Sequence, residues 1–410
     1  LMAPDGNEAG EVLRLFVEQL ATAVVSCDSP RFLSFIPAAP TKAALLFDMF
    51  VSCSSLHGTS WLEAAGVVVA ENQALDVLAQ LAGLPESAGG CFVSGGSAAN
   101  LSALMVARDT ASHRGRPTDS PKIACTDEAH SSVGKALRVL GVEPYLVPAV
   151  DHRLTGEALE SALAGDASGA SDVVGVVATA GTTNAGLVDD LTGVAAVAER
   201  RRLWFHVDAA YGGGGLFAPS VRQQFAGIER ADSLVIDPHK WLFAPYDCAA
   251  LLYRRPALAK AVHTQDAAYL DIIHEMESKD GSTAWNPTDY AYHLSRRPRG
   301  LPLWFSLAVN GTNAYRDAAE TVLATARGAA DLVRRTPHTE LVREPTLSIV
   351  VFRRRGWARA DYDSWSARLL AEQVAFVTPT TWEGEPAARL ALLHPDTTLE
   401  IVEEVLASMA

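Results

Sequence analysis

The sequence predicts an α/β protein built on a largely parallel, doubly wound sheet. Three observations predict it. Short apolar, β-branched runs alternate with helical stretches from Cys91 to Tyr253. Several of these runs stop abruptly at charged or polar residues, as buried strands do when they carry side chains to a site at their C-terminal ends. Beyond Pro302 the pattern becomes a long amphipathic helix and then mixed strands and helices, which predicts a small C-terminal α+β domain.

The elements follow in order. Residues 11–26 have the spacing of an amphipathic helix. Residues 28–60 read as irregular, broken by Pro30, Pro37, Pro40 and a Ser/Gly-rich stretch. Glu71–Leu84 returns to helical spacing. Seven candidate strands come next: Cys91–Val93, Lys122–Thr126, Pro144–Val147, Val173–Thr179, Leu203–Val207, Ser233–Ile236 and Ala249–Tyr253. The helical stretches between most of them serve as crossovers, which a parallel sheet requires. Residues 263–298 have weak periodicity and many polar residues, the mark of a functional loop or of disorder. Leu303–Val309 and then Ala318, Val322, Ala326, Ala330 and Val333 recur at helical spacing. Ser348–Phe352 and Ala388–Leu393 read as strands, Asp363–Gln373 and Thr397–Ser408 as helices. The expected division is an N-terminal segment (1–75), a large domain (76–310) and a small domain (311–410).

Bulk composition narrows the function. A chain of 410 residues with 49% hydrophobic content can bury a large core. Its 34 basic and 48 acidic residues give a net charge of −14, and no basic run stands out, which argues against nucleic acid or an anionic membrane as partner. Five scattered cysteines show no zinc-ligand spacing and suggest reduced thiols in a cytoplasmic protein. No apolar stretch is long enough to span a bilayer, and no basic-then-apolar leader pattern opens the chain.

The chemistry centres on two strand ends. Lys240 lies in Ile236-Asp237-Pro238-His239-Lys240-Trp241, and Asp208 in Trp204-Phe205-His206-Val207-Asp208-Ala209-Ala210-Tyr211. A lysine amine beside a carboxylate that can hold a pyridinium nitrogen is what pyridoxal 5'-phosphate (PLP) requires. The amine would hold the cofactor as an imine and exchange it for a substrate amine. The anion would keep the ring nitrogen protonated and the ring electron-poor. Small Ala209 and Ala210 would let a flat ring lie close. Taken singly, a lysine after a turn is commonly a surface residue and such an aspartate a helix cap; together they favour the cofactor.

Gly95-Gly96-Ser97 opens a helix, where amides and a hydroxyl suit a phosphate. The turn is a weak signal alone, and neither it nor Gly212–Gly215 is a Walker or dinucleotide motif. His130, just after a strand, could stack on a cofactor ring and orient a substrate carboxylate; an isolated histidine is more often structural. Thr182 and Thr183 could donate hydroxyls to the ring or substrate, or cap a helix. His206 and His239 read from position alone as packing or supporting residues, and no histidine has metalloprotease spacing.

Assembled, these motifs resemble the group II PLP-dependent amino acid decarboxylases, a family with the aspartate aminotransferase fold (fold type I). The likeness runs from Pro30-Arg31-Phe32-Leu33-Ser34-Phe35 to Arg389-Leu390 and His394-Pro395. It includes Asp127-Glu128-Ala129-His130-Ser131-Ser132, Gly181-Thr182-Thr183, Tyr246-Asp247-Cys248 and Arg296-Arg297. The resemblance implies that Lys240 carries the imine, Asp208 pairs with the ring nitrogen and His130 stacks on the ring. It implies that Gly96, Ser97 and His239 serve the phosphate, with Thr183 and Ala210 close to the ring. It also implies a homodimer with shared active sites, in which the N-terminal segment packs on the partner. Tyr269 would cross the interface to protonate the carbon left by CO2; relatives with phenylalanine there tend to release aldehydes.

The implied reaction is decarboxylation of an L-amino acid to the amine and CO2, against two rivals: another PLP reaction on the same fold, such as aminotransfer or oxidative deamination to an aldehyde, or a non-catalytic binding protein. Ala98 stands where many relatives carry glutamate, Asp237 replaces an asparagine often seen there, though aspartate also occurs in the family, and Ala65-Gly66 lacks a common proline. Phe32, His57, Trp61 and Trp285 lie in segments that could line a side-chain pocket or pack in the core. Their character leans towards an aromatic substrate.

Overall fold

A computed structural model of the chain describes residues 2, 4–36, 39–116, 119–166, 169–274 and 284–410. Its centre is a seven-stranded sheet: β1 (Gly89–Val93), β2 (Lys122–Cys125), β3 (Glu143–Leu146), β4 (Val173–Thr179), β5 (Trp204–Asp208), β6 (Ser233–Ile236) and β7 (Ala249–Tyr253). The order across the sheet is β1-β7-β6-β5-β4-β2-β3. Only β7 runs antiparallel to its neighbours, so the other six strands point the same way. The ends of β1, β2, β4, β5 and β6 therefore meet along one edge, joined there by the start of β7.

Helices cover both faces, which is why β1, β4, β5, β6 and β7 are buried throughout rather than alternating, while edge strand β3 is largely exposed. Side chains on successive residues still go to opposite faces. Phe205, Val207, Leu234 and Ile236 enter one core layer, and Trp204, Val177 and Val235 the other. A second sheet, ordered β10-β11-β9-β8, is antiparallel: β8 (Thr339–Leu341), β9 (Ile349–Arg354), β10 (Pro379–Trp382) and β11 (Glu385–Ala391). It packs on helices Arg359–Ala371 and Leu399–Ala407 around Trp365, Phe352 and Val402. The fold class expected from the sequence is thus observed, large parallel sheet and small α+β part included.

Several details differ from the sequence reading. Residues 28–60 are not wholly irregular, because Lys42–Cys53 is a helix capped by the Thr41 hydroxyl, which accepts the Ala44 amide at 3.1 Å. The prolines before it and the Ser/Gly cluster after it masked its periodicity. The next helix, Trp61–Ala82, starts well before Glu71; Ser60 and Glu63 form a capping box at its start. In one region the reading holds: the apolar helix and the long amphipathic helix expected after Pro302 both form within Leu301–Arg335, and they meet at a kink at Gly311, whose φ of +71° few other residues adopt. Strands β8 and β10 were not anticipated. The N-terminal helix Ala9–Leu15 continues in tighter and wider turns to Ala23 and buries nothing. Residues 275–283 of the polar segment lie outside the described residues. Among the described residues no helix is long and apolar enough to cross a membrane.

One buried ion pair fixes how the segment after residue 284 returns to the large sheet. Arg296 donates to both oxygens of Glu71 at 2.6 and 2.8 Å and to the Gly58 carbonyl at 2.6 Å. Glu71 also accepts the Gly300 amide at 2.8 Å. Glu71→Ala leaves the buried guanidinium without its anion and should cost roughly 3–5 kcal/mol. Urea denaturation of the cofactor-free protein measures this, and an unchanged midpoint would contradict it.

Candidate active site

The shared strand edge opens into a cavity of about 300 Å³. Gly96 and Ser97 reach it after β1, His130 after β2 and Thr183 after β4. Asp208 and Ala210 come from the end of β5, and His239 and Lys240 from the turn after β6. Of the residues proposed for the cofactor or reaction, Tyr269 and Thr182 are missing from this lining; Thr182 is buried and its hydroxyl accepts the Leu187 amide at 3.0 Å. Tyr269 lies in the turn Ala268–Leu270, is 71% exposed and does not line this cavity.

Asp208 sits on the cavity floor, 5% exposed. A buried carboxylate needs donors, and it has two: the Ala210 amide to Oδ1 at 3.1 Å and Asn100 Nδ2 to Oδ2 at 2.9 Å. Asn100 also touches His206, and its amide extends to Ser132. Burial depresses His206 to about 4 despite the pull of Asp208, so the ring is neutral. His206 is thus a supporting residue, as its position suggested, and it acts through Asn100, which sequence reasoning missed. Asn100 sits one helical turn beyond Gly96, and that spacing was the only signal available.

Lys240 faces Asp237 rather than Asp208. Its ammonium lies 2.9 Å from Asp237 Oδ2, and the same oxygen accepts the Gly96 amide at 3.2 Å. Burial works to lower the Lys240 pKa, but the Asp237 carboxylate outweighs it and the net shift is upward. Asp237 Oδ1 is buried and has no hydrogen-bond partner. His239 accepts the Cys248 amide on Nδ1 at 2.9 Å, while burial pushes its pKa down. The ring is therefore neutral and carries its proton on Nε2, where it can donate.

His130 Nδ1 contacts the Ser132 hydroxyl at 2.8 Å and accepts the Ser132 amide at 3.2 Å. Arg389 is buried beside the same wall and donates to the carbonyls of Thr183 and Phe35. Trp285 turns away: it stacks on Tyr290 at 4.1 Å and donates to the Gly90 carbonyl, so it packs behind β1. Phe32 packs on Phe376 at 4.9 Å, and His57 pairs with Thr59 at 2.7 Å. Neither these two nor Trp61 lines the cavity.

The donor set fits PLP. An acceptor carboxylate with both oxygens already held lies at one end, and an amine and a helix N-terminus lie at the other. The Gly96 turn is closely packed: a Cβ there would lie 3.1 Å from Asp237 Oδ2 and 3.2 Å from the Ala210 methyl, so a larger residue would have to push those neighbours aside. Residues 2–355 match the pyridoxal-dependent decarboxylase conserved domain. The chain belongs to the pyridoxal-dependent decarboxylase family.

The chain is similar to several named decarboxylases. An aromatic-L-amino-acid decarboxylase of Bacillus atrophaeus is 30% identical over 98% of this chain and 85% of its own length. An L-2,4-diaminobutyrate decarboxylase of Rhizobium meliloti is 31% identical over 88% of this chain and 74% of its own. The structure of Oryza sativa TDC with PLP and tryptamine superposes with a TM-score of 0.89 at 27% identity, covering 99% of this chain and 90% of that one. The cofactor of this family is PLP and its activity is that of a carboxy-lyase acting on amino acids.

The Lys240–Asp237 pair has a measurable consequence. Bonding to the cofactor aldehyde requires the neutral amine, so its rate rises with pH through the Lys240 pKa. Because Asp237 holds that pKa up, Asp237→Asn should move the profile to lower pH. Stopped-flow absorbance of cofactor-free protein mixed with PLP reads the profile; one that stays put or moves upward would refute the pairing.

Proposed function

We propose that the protein removes the α-carboxyl group of an aromatic L-amino acid, giving the amine and CO2. The observation that carries the reaction is the convergence of Lys240, Asp208, His130 and the Gly96 turn on one cavity of the right donor chemistry. The aromatic preference is supported by the Bacillus atrophaeus and Oryza sativa relatives. The diaminobutyrate decarboxylase at equal identity supports a second reading, a substrate with a cationic side chain.

PLP, when bound, supplies the sink for the electron pair released as CO2 departs. The chain's residues do the rest. Asp208 accepts from the protonated ring nitrogen and so keeps the ring electron-poor. Neutral N–H donors, not cations, satisfy Asp208, so its charge remains available for this work. His130 covers the ring and presents an N–H on Nε2. The Gly96–Ser97 amides and His239 Nε2 serve the phosphate, and Thr183 lies on the wall nearest the small sheet. Lys240 supplies the amine that holds the cofactor and recovers it once product leaves. Tyr269, exposed on its own chain, delivers the proton to the carbon in a neighbouring subunit's site. The apolar N-terminal helix, which buries nothing in one chain, would pack on that neighbour in a cytoplasmic homodimer.

Purified protein with PLP should release CO2 and amine from L-tryptophan, L-phenylalanine or L-tyrosine faster than from L-2,4-diaminobutyrate or L-glutamate. The reverse ranking would reject the aromatic reading. Lys240→Ala should abolish both turnover and the borohydride-reducible link to PLP; a surviving link would remove Lys240 from this role.

Tyr269→Phe should cut amine formation by about 10²-fold or more, the scale of a lost general acid, and in air-saturated buffer divert product to aldehyde and ammonia, with dioxygen as the oxidant reduced to peroxide. An unchanged product distribution would exclude Tyr269 as the proton donor.

A further inference from the structure

We propose that Asn100 is a positioning residue that couples two side chains that would meet the cofactor ring, Asp208 at its nitrogen and His130 over its face. This rests on the reading of the cavity as a PLP site. Asn100 is 1% exposed, and its side-chain amide contacts three groups at 2.9 Å: Asp208 Oδ2, Ser132 Oγ and His206 Nε2.

Donor–acceptor accounting fixes the direction of every bond in this network. Trp204 Nε1 has only a hydrogen to give and donates it to Ser233 Oγ at 2.8 Å. Ser233 passes its own hydrogen to His206 Nδ1 at 2.7 Å. A neutral His206 then keeps its proton on Nε2 and donates it to Asn100 Oδ1. Asn100 is thereby oriented with both amide hydrogens facing the site. One goes to the Asp208 carboxylate and the other to Ser132 Oγ. Ser132, having accepted, gives its hydroxyl hydrogen to His130 Nδ1. The Ser132 amide gives Nδ1 a second hydrogen bond. The His130 proton is therefore held on Nε2.

A flipped Asn100 would set its oxygen against the Asp208 carboxylate and its amide against the His206 N–H. Only one orientation satisfies all partners, and every member but the exposed His130 is buried, so Asn100 ties Asp208 and His130 to the same β5–β6 anchor, Trp204 and Ser233. One residue thus sets both the donor partner of Asp208 and the tautomer of His130. No other contact of Asp208 reaches the His130 side, since its second oxygen is held by the Ala210 amide.

Full-length protein is titrated with PLP, and the visible absorbance of the Lys240-linked cofactor is followed against pH. Asn100→Ala should weaken PLP binding about tenfold or more, the loss of one hydrogen bond to a charge, and should shift the pH midpoint of that absorbance. Ser132→Ala cuts only the His130 arm. It should leave PLP affinity within about twofold, because Asp208 keeps its charge-assisted donor, while lowering kcat. An Asn100→Ala protein with a lower melting temperature but an unmoved pH midpoint and PLP affinity has lost only packing, and the proposal fails. Equal effects of the two variants on affinity would also overturn it. Should Asn100→Ala not fold, Asn100→Ser is read by the same criteria. Wild-type protein that never takes up PLP would instead reject the site reading itself.

Discussion

The structure depends on keeping one carboxylate charged in a nearly dry place. Asp208 ends a fully buried strand, where an unpaired carboxylate would be costly. The protein does not neutralise it with a cation. It supplies a main-chain amide from Ala210 and a side-chain amide from Asn100, and it holds Asn100 with a histidine kept neutral by burial. The consequence reaches outward: Trp204, His206 and Ser233 are buried polar groups whose partners are all accounted for, and they occupy the central strands β5 and β6. The polar core of the site and the hydrophobic core of the sheet are therefore one construction.

Sheet topology does the assembling. Because only β7 is reversed, six strand ends and one strand start share an edge. The polar residues of the cavity follow β1, β2, β4, β5 and β6, and the apolar runs behind them fix their heights. The reversed strand also matters locally. Cys248, just before β7, exchanges main-chain and side-chain hydrogen bonds with His239 and so sets which nitrogen of that ring can donate. A parallel β7 would bring its far end, Tyr253, to this edge instead.

Most of this was legible in the sequence, because buried parallel strands are written as apolar runs and their ends as sudden polar residues. The seven strands, the small α+β part and the cavity residues from Gly96 to Lys240 could be read that way. What escaped had physical reasons. Asn100 is a helical residue among small apolar neighbours, and nothing local marks it as the donor to a carboxylate in β5, far along the chain. Asp237 was noted only as a departure from a family pattern, yet it is the partner of Lys240. The helix Lys42–Cys53 exposes Leu46, Met49 and Phe50 in the single chain, so its periodicity does not follow a core. Trp285 and Phe32 were read by residue type, and aromatic type does not distinguish a pocket wall from packing.

The two carboxylates at the cavity divide the electrostatic work. Asp208 is held by neutral amides and keeps its full charge for a partner that arrives. Asp237 is matched with the Lys240 ammonium and the Gly96 amide. Had Lys240 paired with Asp208, the lysine charge would have satisfied the carboxylate meant for the ring nitrogen, and the amine would have lain at the wrong end of the cavity. Placing Asp237 three residues before Lys240, just past the end of β6 beside β5, prevents this. The pairing also ties the amine to the helix N-terminus through a shared oxygen, so the groups that would meet the cofactor's aldehyde and its phosphate are oriented by a single side chain. The aspartate that departs from the family's usual asparagine is thus the residue through which the lysine end of this site is organised, as Asn100 organises the other.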